Sequence, residues 1–189
     1  MTIRLMLLCA PVPSGRETRF ADGPLDERAV QQARAAAGAL PATGVRYTAP
    51  SQRCRQTAQA LGWDAAVEPA LCDIGVGSWH GRTLDEVAAS DPAGLAAWMT
   101  DPGAAPHGGE TVADVCTRVT AWLDTLQGES GPVTAVVEQA VTRAAVVSVL
   151  GAPHASFWRI DIPPLTAVHL TGRAGRWNLR LGAAMSAGA

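Results

Sequence analysis

Unbroken apolar runs alternate along this chain with amphipathic stretches. "RLMLLC" (4–9) and "PVTAVV" (132–137) carry too few polar positions for one-sided strands, so each predicts a strand buried on both faces. "VRYTAP" (45–50) and "AAVEPAL" (65–71) read as two more strands, and "TAVHLTG" (166–172) with "RWNLRLG" (176–182) as a closing hairpin. Helical spacing covers 25–40, 51–61, 84–101, 111–127 and 138–151. Ser51 is placed to cap the second of these helices, Pro102 to end the third and Gly151 to end the last. Two loops are rich in glycine: "CDIGVGSWHGRT" (72–83) and "PGAAPHGGE" (102–110). The alternation predicts one domain over residues 1–189, an α/β fold built as a three-layer α/β/α sandwich with a mostly parallel central sheet. Such sheets bind ligands beyond the carboxyl ends of their strands, which directs attention to Cys9 and Glu138.

Composition narrows the chemistry. The chain has 189 residues, 48% hydrophobic and 17% charged, with a net charge of −2. That is a globular composition with no basic stripe, so nucleic acid is not an expected partner. All fifteen basic residues are arginine, so lysine chemistry is excluded and an anion site must use arginine, histidine or backbone N–H groups. Cys9, Cys54, Cys72 and Cys116 show no CxxC spacing; neither a metal site nor a redox pair is indicated, and no cofactor is expected. No apolar run approaches the ~20 residues of a membrane span, and "MTIRLMLLCAPVP" does not read as a signal peptide. The expectation is a cytoplasmic protein with reduced thiols, acting on a small molecule. Of the six tryptophans, Trp79 is expected to wall a pocket; "FWRIDIPP" (157–164) is assigned to a sheet edge or a homodimer surface.

Five landmarks in order make the chain resemble the histidine phosphatase superfamily, the phosphoglycerate-mutase-like proteins. "LLCAP" stands where that family's first strand ends in Arg-His-Gly, and "TAPSQRCRQTA" is similar to its Ser-Pro-x-x-Arg-Ala-x-x-Thr-Ala. "LCDIGVGSWHG" resembles Leu-x-Glu-x-x-x-Gly-x-Trp-x-Gly, and "GGET" (108–111) its Gly-Glu-Ser turn. "VEQAVTR" (137–143) takes the place of Ser-His-Gly-Gly-x-x-Arg. By this register Leu8 stands for the motif arginine, Cys9 for the nucleophilic histidine, Glu138 for the second histidine, Asp73 for the acid and Arg53 for the pocket arginine.

The resemblance implies the fold, but these substitutions change the chemistry. A neutral imidazole attacks phosphorus in the family, while cations hold the oxygens. A carboxylate at position 138 would repel a phosphate by about 4 kcal/mol per unit charge at ~4 Å and an effective dielectric of ~20. Cys9 to Arg16 is Cys-x6-Arg, one residue longer than the phosphate loop of cysteine phosphatases, and Pro11 and Pro13 remove N–H donors from it. The expected site therefore has Cys9, Asp73 and Glu138 as catalytic groups, with Arg16, Arg53, His107 and Trp79 binding substrate. Two nearby carboxyl groups titrate together and can serve as acid and base for cyclisation, isomerisation or elimination. A catalytically silent binding module and a phosphatase with a rearranged nucleophile are the alternatives.

Overall fold

The structure, a computed structural model of the chain, describes residues 2–12, 19–41, 43–129 and 131–181. β1 (Ile3–Cys9) and β4 (Gly131–Val137) form the centre of a six-stranded sheet. They run parallel, with Cys9 opposite Val137. β2 (Val45–Thr48) and β3 (Ala66–Val67) extend the parallel part on the β4 side, and β5 (Ala167–Arg173) and β6 (Arg176–Arg180) add antiparallel strands beyond β1. The order is β3-β2-β4-β1-β5-β6, the three-layer α/β arrangement expected from the strand–helix alternation. Leu5, Leu7, Leu8, Val133, Ala135 and Val136 are almost wholly excluded from water, so both faces of the two central strands are covered, as their uninterrupted apolar sequences require.

The helices are α1 (Glu27–Ala36), α2 (Gln52–Ala60), α3 (Leu84–Ser90), α4 (Pro92–Thr100), α5 (Val112–Thr125) and α6 (Gln139–Leu150). Ser51 caps α2 by accepting from the Cys54 N–H, and Gly151, left-handed at φ 58°, closes α6. Two expectations need correction. The helix read over 84–101 is two helices. Asp91, held extended before Pro92, ends α3 and accepts from the Gly94 N–H to begin α4. The strand read over 65–71 shrinks to two residues, because Pro69 has no N–H for a ladder and opens a 3-10 turn capped by Glu68. The 157–164 segment is not a free edge either: Phe157 and Ile162 are buried, and a 3-10 helix over His154–Arg159 packs on α6.

The two glycine-rich loops interlock. The Ser78 N–H donates to the His107 carbonyl at 2.9 Å and the Glu110 N–H to the Gly75 carbonyl at 2.7 Å. A Cβ on Gly109 would collide with the Gly75 carbonyl, a backbone atom with no room to yield. Replacing Gly109 by Ala should therefore lower stability by about 1–3 kcal/mol. Gly38→Ala, where a Cβ meets nothing within 4 Å, should stay within about 0.5 kcal/mol of wild type. Urea denaturation of both variants checks this, and equal midpoints would refute the interlock.

Candidate functional site

Beyond the carboxyl ends of β1 and β4 lies a cavity of about 600 Å³. Ser51, Arg53, Asp73, Glu138 and Arg143 supply polar wall, and Phe20, Ile74, Trp98 and Trp158 supply apolar wall. Glu138 occupies the N-cap position of α6 but makes no capping hydrogen bond. Its Oε1 instead accepts from Ser51 Oγ at 2.7 Å and from Arg53 Nε at 2.7 Å, with the Cys54 thiol 3.5 Å away. No described residue donates to Oε2. Arg53 lies in the first turn of α2, where the chain must turn sharply out of β2; Ser51 caps that turn, so one local signal sets both donors. The Arg53–Glu138 pair is mostly shielded, at 13% and 8% side-chain exposure, so it is a buried charge pair rather than a surface bridge. Burial pushes the Arg53 guanidinium down, but the adjacent Glu138 carboxylate outweighs it, and the net shift is upward.

Asp73 completes the polar group. Its Oδ2 is 3.8 Å from an Arg53 terminal nitrogen, and its Oδ1 accepts from the Ile74 N–H. Burial and the charge of Glu138 push its carboxyl up to about 7, against the opposing pull of Ile74 N–H and Arg53. Its side chain keeps 40% exposure, so solvent works against that shift. The upward direction, together with access to the cavity, makes Asp73 a group that exchanges protons near neutral pH. Its loop is fixed from behind by Arg118, which pairs with both oxygens of Glu110 at 2.9 Å and donates to the Ala70 and Cys72 carbonyls. Glu110 in turn accepts from the Gly75 N–H.

Several expected site residues lie elsewhere. Cys9 is fully buried and does not line the cavity; the wall at that point is Ala10, whose N–H donates to the Val137 carbonyl. Burial, with the nearby Glu138 charge, pushes its thiol up to about 12, which removes the thiolate a nucleophile needs. His107 is 3% exposed, inside the protein rather than at the rim. Its Nδ1 accepts from the Gly109 N–H, its ring lies edgewise against Trp79 and Trp98, and burial lowers its pKa. Trp79 packs behind the wall, with Val76, Val87 and Trp98, instead of forming it. Arg16 falls outside the described residues. Several wall residues escaped the sequence reading, among them Ser51, Trp98, Arg143 and Trp158. Ser51 was legible only as a cap. Arg143 stood only as a register mark, and Trp98 and Trp158 as core or interface. No group of three metal-ligating side chains occurs among the described residues. Nor is any helix there long and apolar enough to cross a membrane.

A family model for the histidine phosphatase superfamily (branch 1) matches residues 13–183. The chain belongs to this superfamily. The match to the histidine phosphatase model begins beyond β1, past Cys9. The bifunctional protein Rv2228c of Mycobacterium tuberculosis is 36% identical over 102 residues, which is 50% of this chain and 28% of that protein. A glucosyl-3-phosphoglycerate phosphatase of Mycolicibacterium vanbaalenii is 31% identical over 115 residues, 54% of this chain and 51% of its own length. The chain thus spans about half the length, or less, of the curated relatives it matches. Among solved structures, mycobacterial glucosyl-3-phosphoglycerate phosphatase superposes with a TM-score of 0.81 at 24% identity, covering 95% of this chain and 97% of that one. Bacillus stearothermophilus YhfR superposes with a TM-score of 0.84 at 22% identity, covering 94% and 95%. At these identities the superpositions establish the histidine-phosphatase fold alone.

A carboxyl whose pKa is raised on folding costs stability as pH climbs from its unfolded value towards the raised one. The folded state then holds a proton that the unfolded state has released. Wild type should therefore lose stability relative to Asp73→Asn between about pH 4 and pH 7, with the difference levelling above 7. Paired thermal melts across that range measure it. A constant difference would show that Asp73 titrates as an ordinary carboxylate.

Proposed function

We propose that this chain has kept the small-molecule cavity of its superfamily and given up phosphoryl transfer for acid–base catalysis. The observation that carries this reading is the Glu138 carboxylate accepting from Arg53 and Ser51. An anionic substrate would need those same donors, and an internal carboxylate already occupies them. A phosphate dianion entering here meets a fixed negative charge and an arginine that is no longer available. By the family register the two histidine positions are Cys9 and Glu138, and neither offers an imidazole to attack phosphorus.

Asp73 acts as the proton donor and acceptor, with Glu138 setting its protonation through charge. Glu138 Oε2, free of described donors, serves as the second acceptor. Arg53 holds the two carboxyl groups in a fixed relation. This set suits proton transfer in a cyclisation, isomerisation or elimination on a small organic substrate, the chemistry of a biosynthetic step. Cys9, displaced from the wall and held as a thiol, supports packing rather than covalent catalysis.

A second reading comes from the relatives, which are named phosphatases, and from His80, which lines the cavity. One experiment separates them. Wild type should hydrolyse 4-nitrophenyl phosphate no faster than buffer and should show no thermal shift with vanadate. Glu138→Gln, which removes the charge and keeps the shape, should bind vanadate at least about tenfold more tightly. Wild-type hydrolysis that disappears in His80→Ala would establish the phosphatase reading instead.

A further inference from the structure

The cavity's polar lining includes Arg19, which pairs with Glu86, and Asp22, which accepts from the Gln52 N–H, besides His80 and Gln139; two further groups set its charge. Ser51, Arg53, Asp73 and Glu138 satisfy one another. Arg143 does not belong to that network. It projects from the second turn of α6 into the wall, half-buried, and no carboxylate among the described residues lies within bridging distance of it. Asp161 is near enough to feel its charge without forming a bridge. Its Nε donates to the Ile160 carbonyl at 2.7 Å, which fixes the guanidinium plane. The guanidinium carbon lies 5.6 Å from the Trp158 ring centroid and 5.9 Å from that of Phe157, a stacked setting that holds the cation in place with little loss of order on binding.

The wall beside it is aromatic, its rings meeting edge to face. Trp158 donates its Nε1–H to the Trp98 carbonyl, which joins two indoles from distant parts of the chain into one surface with Phe20. Trp98 Nε1 and His107 Nε2 are buried with no partner among the described residues. Since His107 Nδ1 accepts from Gly109, its neutral ring carries the proton on Nε2, so both orphan atoms are donors. A guanidinium with no bridging carboxylate among the described residues, next to an aromatic wall, is complementary to an apolar molecule bearing a single negative charge.

We infer that Arg143, not Arg53, is the anion anchor of this cavity, and that the ligand class it selects is a planar or aromatic monocarboxylate. This rests on the reading that Glu138 has committed Arg53. One guanidinium that no described carboxylate bridges balances one carboxylate; it does not balance a phosphate dianion facing Glu138. A cavity of about 600 Å³ has room for a ring system with a short acidic side chain.

Isothermal titration calorimetry with 4-phenylbutyrate, 4-phenylbutanol and phenyl phosphate tests the inference. Wild type should prefer the acid over the alcohol by about tenfold. Arg143→Gln should erase that preference by weakening the acid and leaving the alcohol unchanged. Arg143→Lys, which keeps the charge should the loss of the Ile160 contact unsettle the fold, should retain part of it. Equal affinities in wild type, no binding of either compound, or a preference surviving in Arg143→Gln would each overturn the inference. Phenyl phosphate binding that is lost in Arg53→Gln and kept in Arg143→Gln would strike instead at the commitment of Arg53, and so at the reading beneath.

Discussion

One buried carboxylate organises this site. Glu138 leaves the end of β4 between a serine cap and an arginine in the first turn of the neighbouring helix, and a single oxygen takes both hydrogen bonds. Removing an unpaired charge from water costs several kcal/mol, so neither Glu138 nor Arg53 is tolerable there without the other. Their pairing fixes the α2 N-terminus against the mouth of the sheet. Beside burial, the Glu138 charge also raises the pKa of the Asp73 carboxyl. Cavity shape, charge balance and proton chemistry thus depend on the same contact.

The support for this arrangement lies in the loops. Glu110 and Arg118 form a two-pronged pair that anchors the backbone carrying Asp73, and the 102–110 loop presses against the 72–83 loop through close backbone approaches. A proton-exchanging group needs a steady environment, because a shift of an ångström changes its neighbours' fields appreciably. Here the rigidity comes from backbone hydrogen bonds and a guanidinium clamp.

Much of the fold was legible because apolar runs and capping residues act locally. Ser51, Gly151 and the buried strands β1 and β4 followed from short-range rules, and Glu138 and Arg53 stand where the family register put them. The errors share a physical cause. Cys9 ends β1 fully buried while Ala10, one position on, lines the cavity, and which of two neighbours reaches the wall is set by the path of the chain beyond the strand. Trp79 and His107 sit on loops whose path depends on tertiary contacts, and spacing says nothing of which ring ends on the cavity side. Arg143 required knowing that Trp158, fifteen positions later in a segment read as surface, folds back over α6.

The uneven placement of indoles has an optical consequence. Trp79, Trp98 and Trp158 gather beside the cavity, whereas Trp63, Trp122 and Trp177 pack against the main core. Emission from the first group is sensitive to any change in dielectric or quenching inside the cavity, and the second group provides a steady background within the same molecule. The protein carries a built-in spectroscopic gauge of its own occupancy.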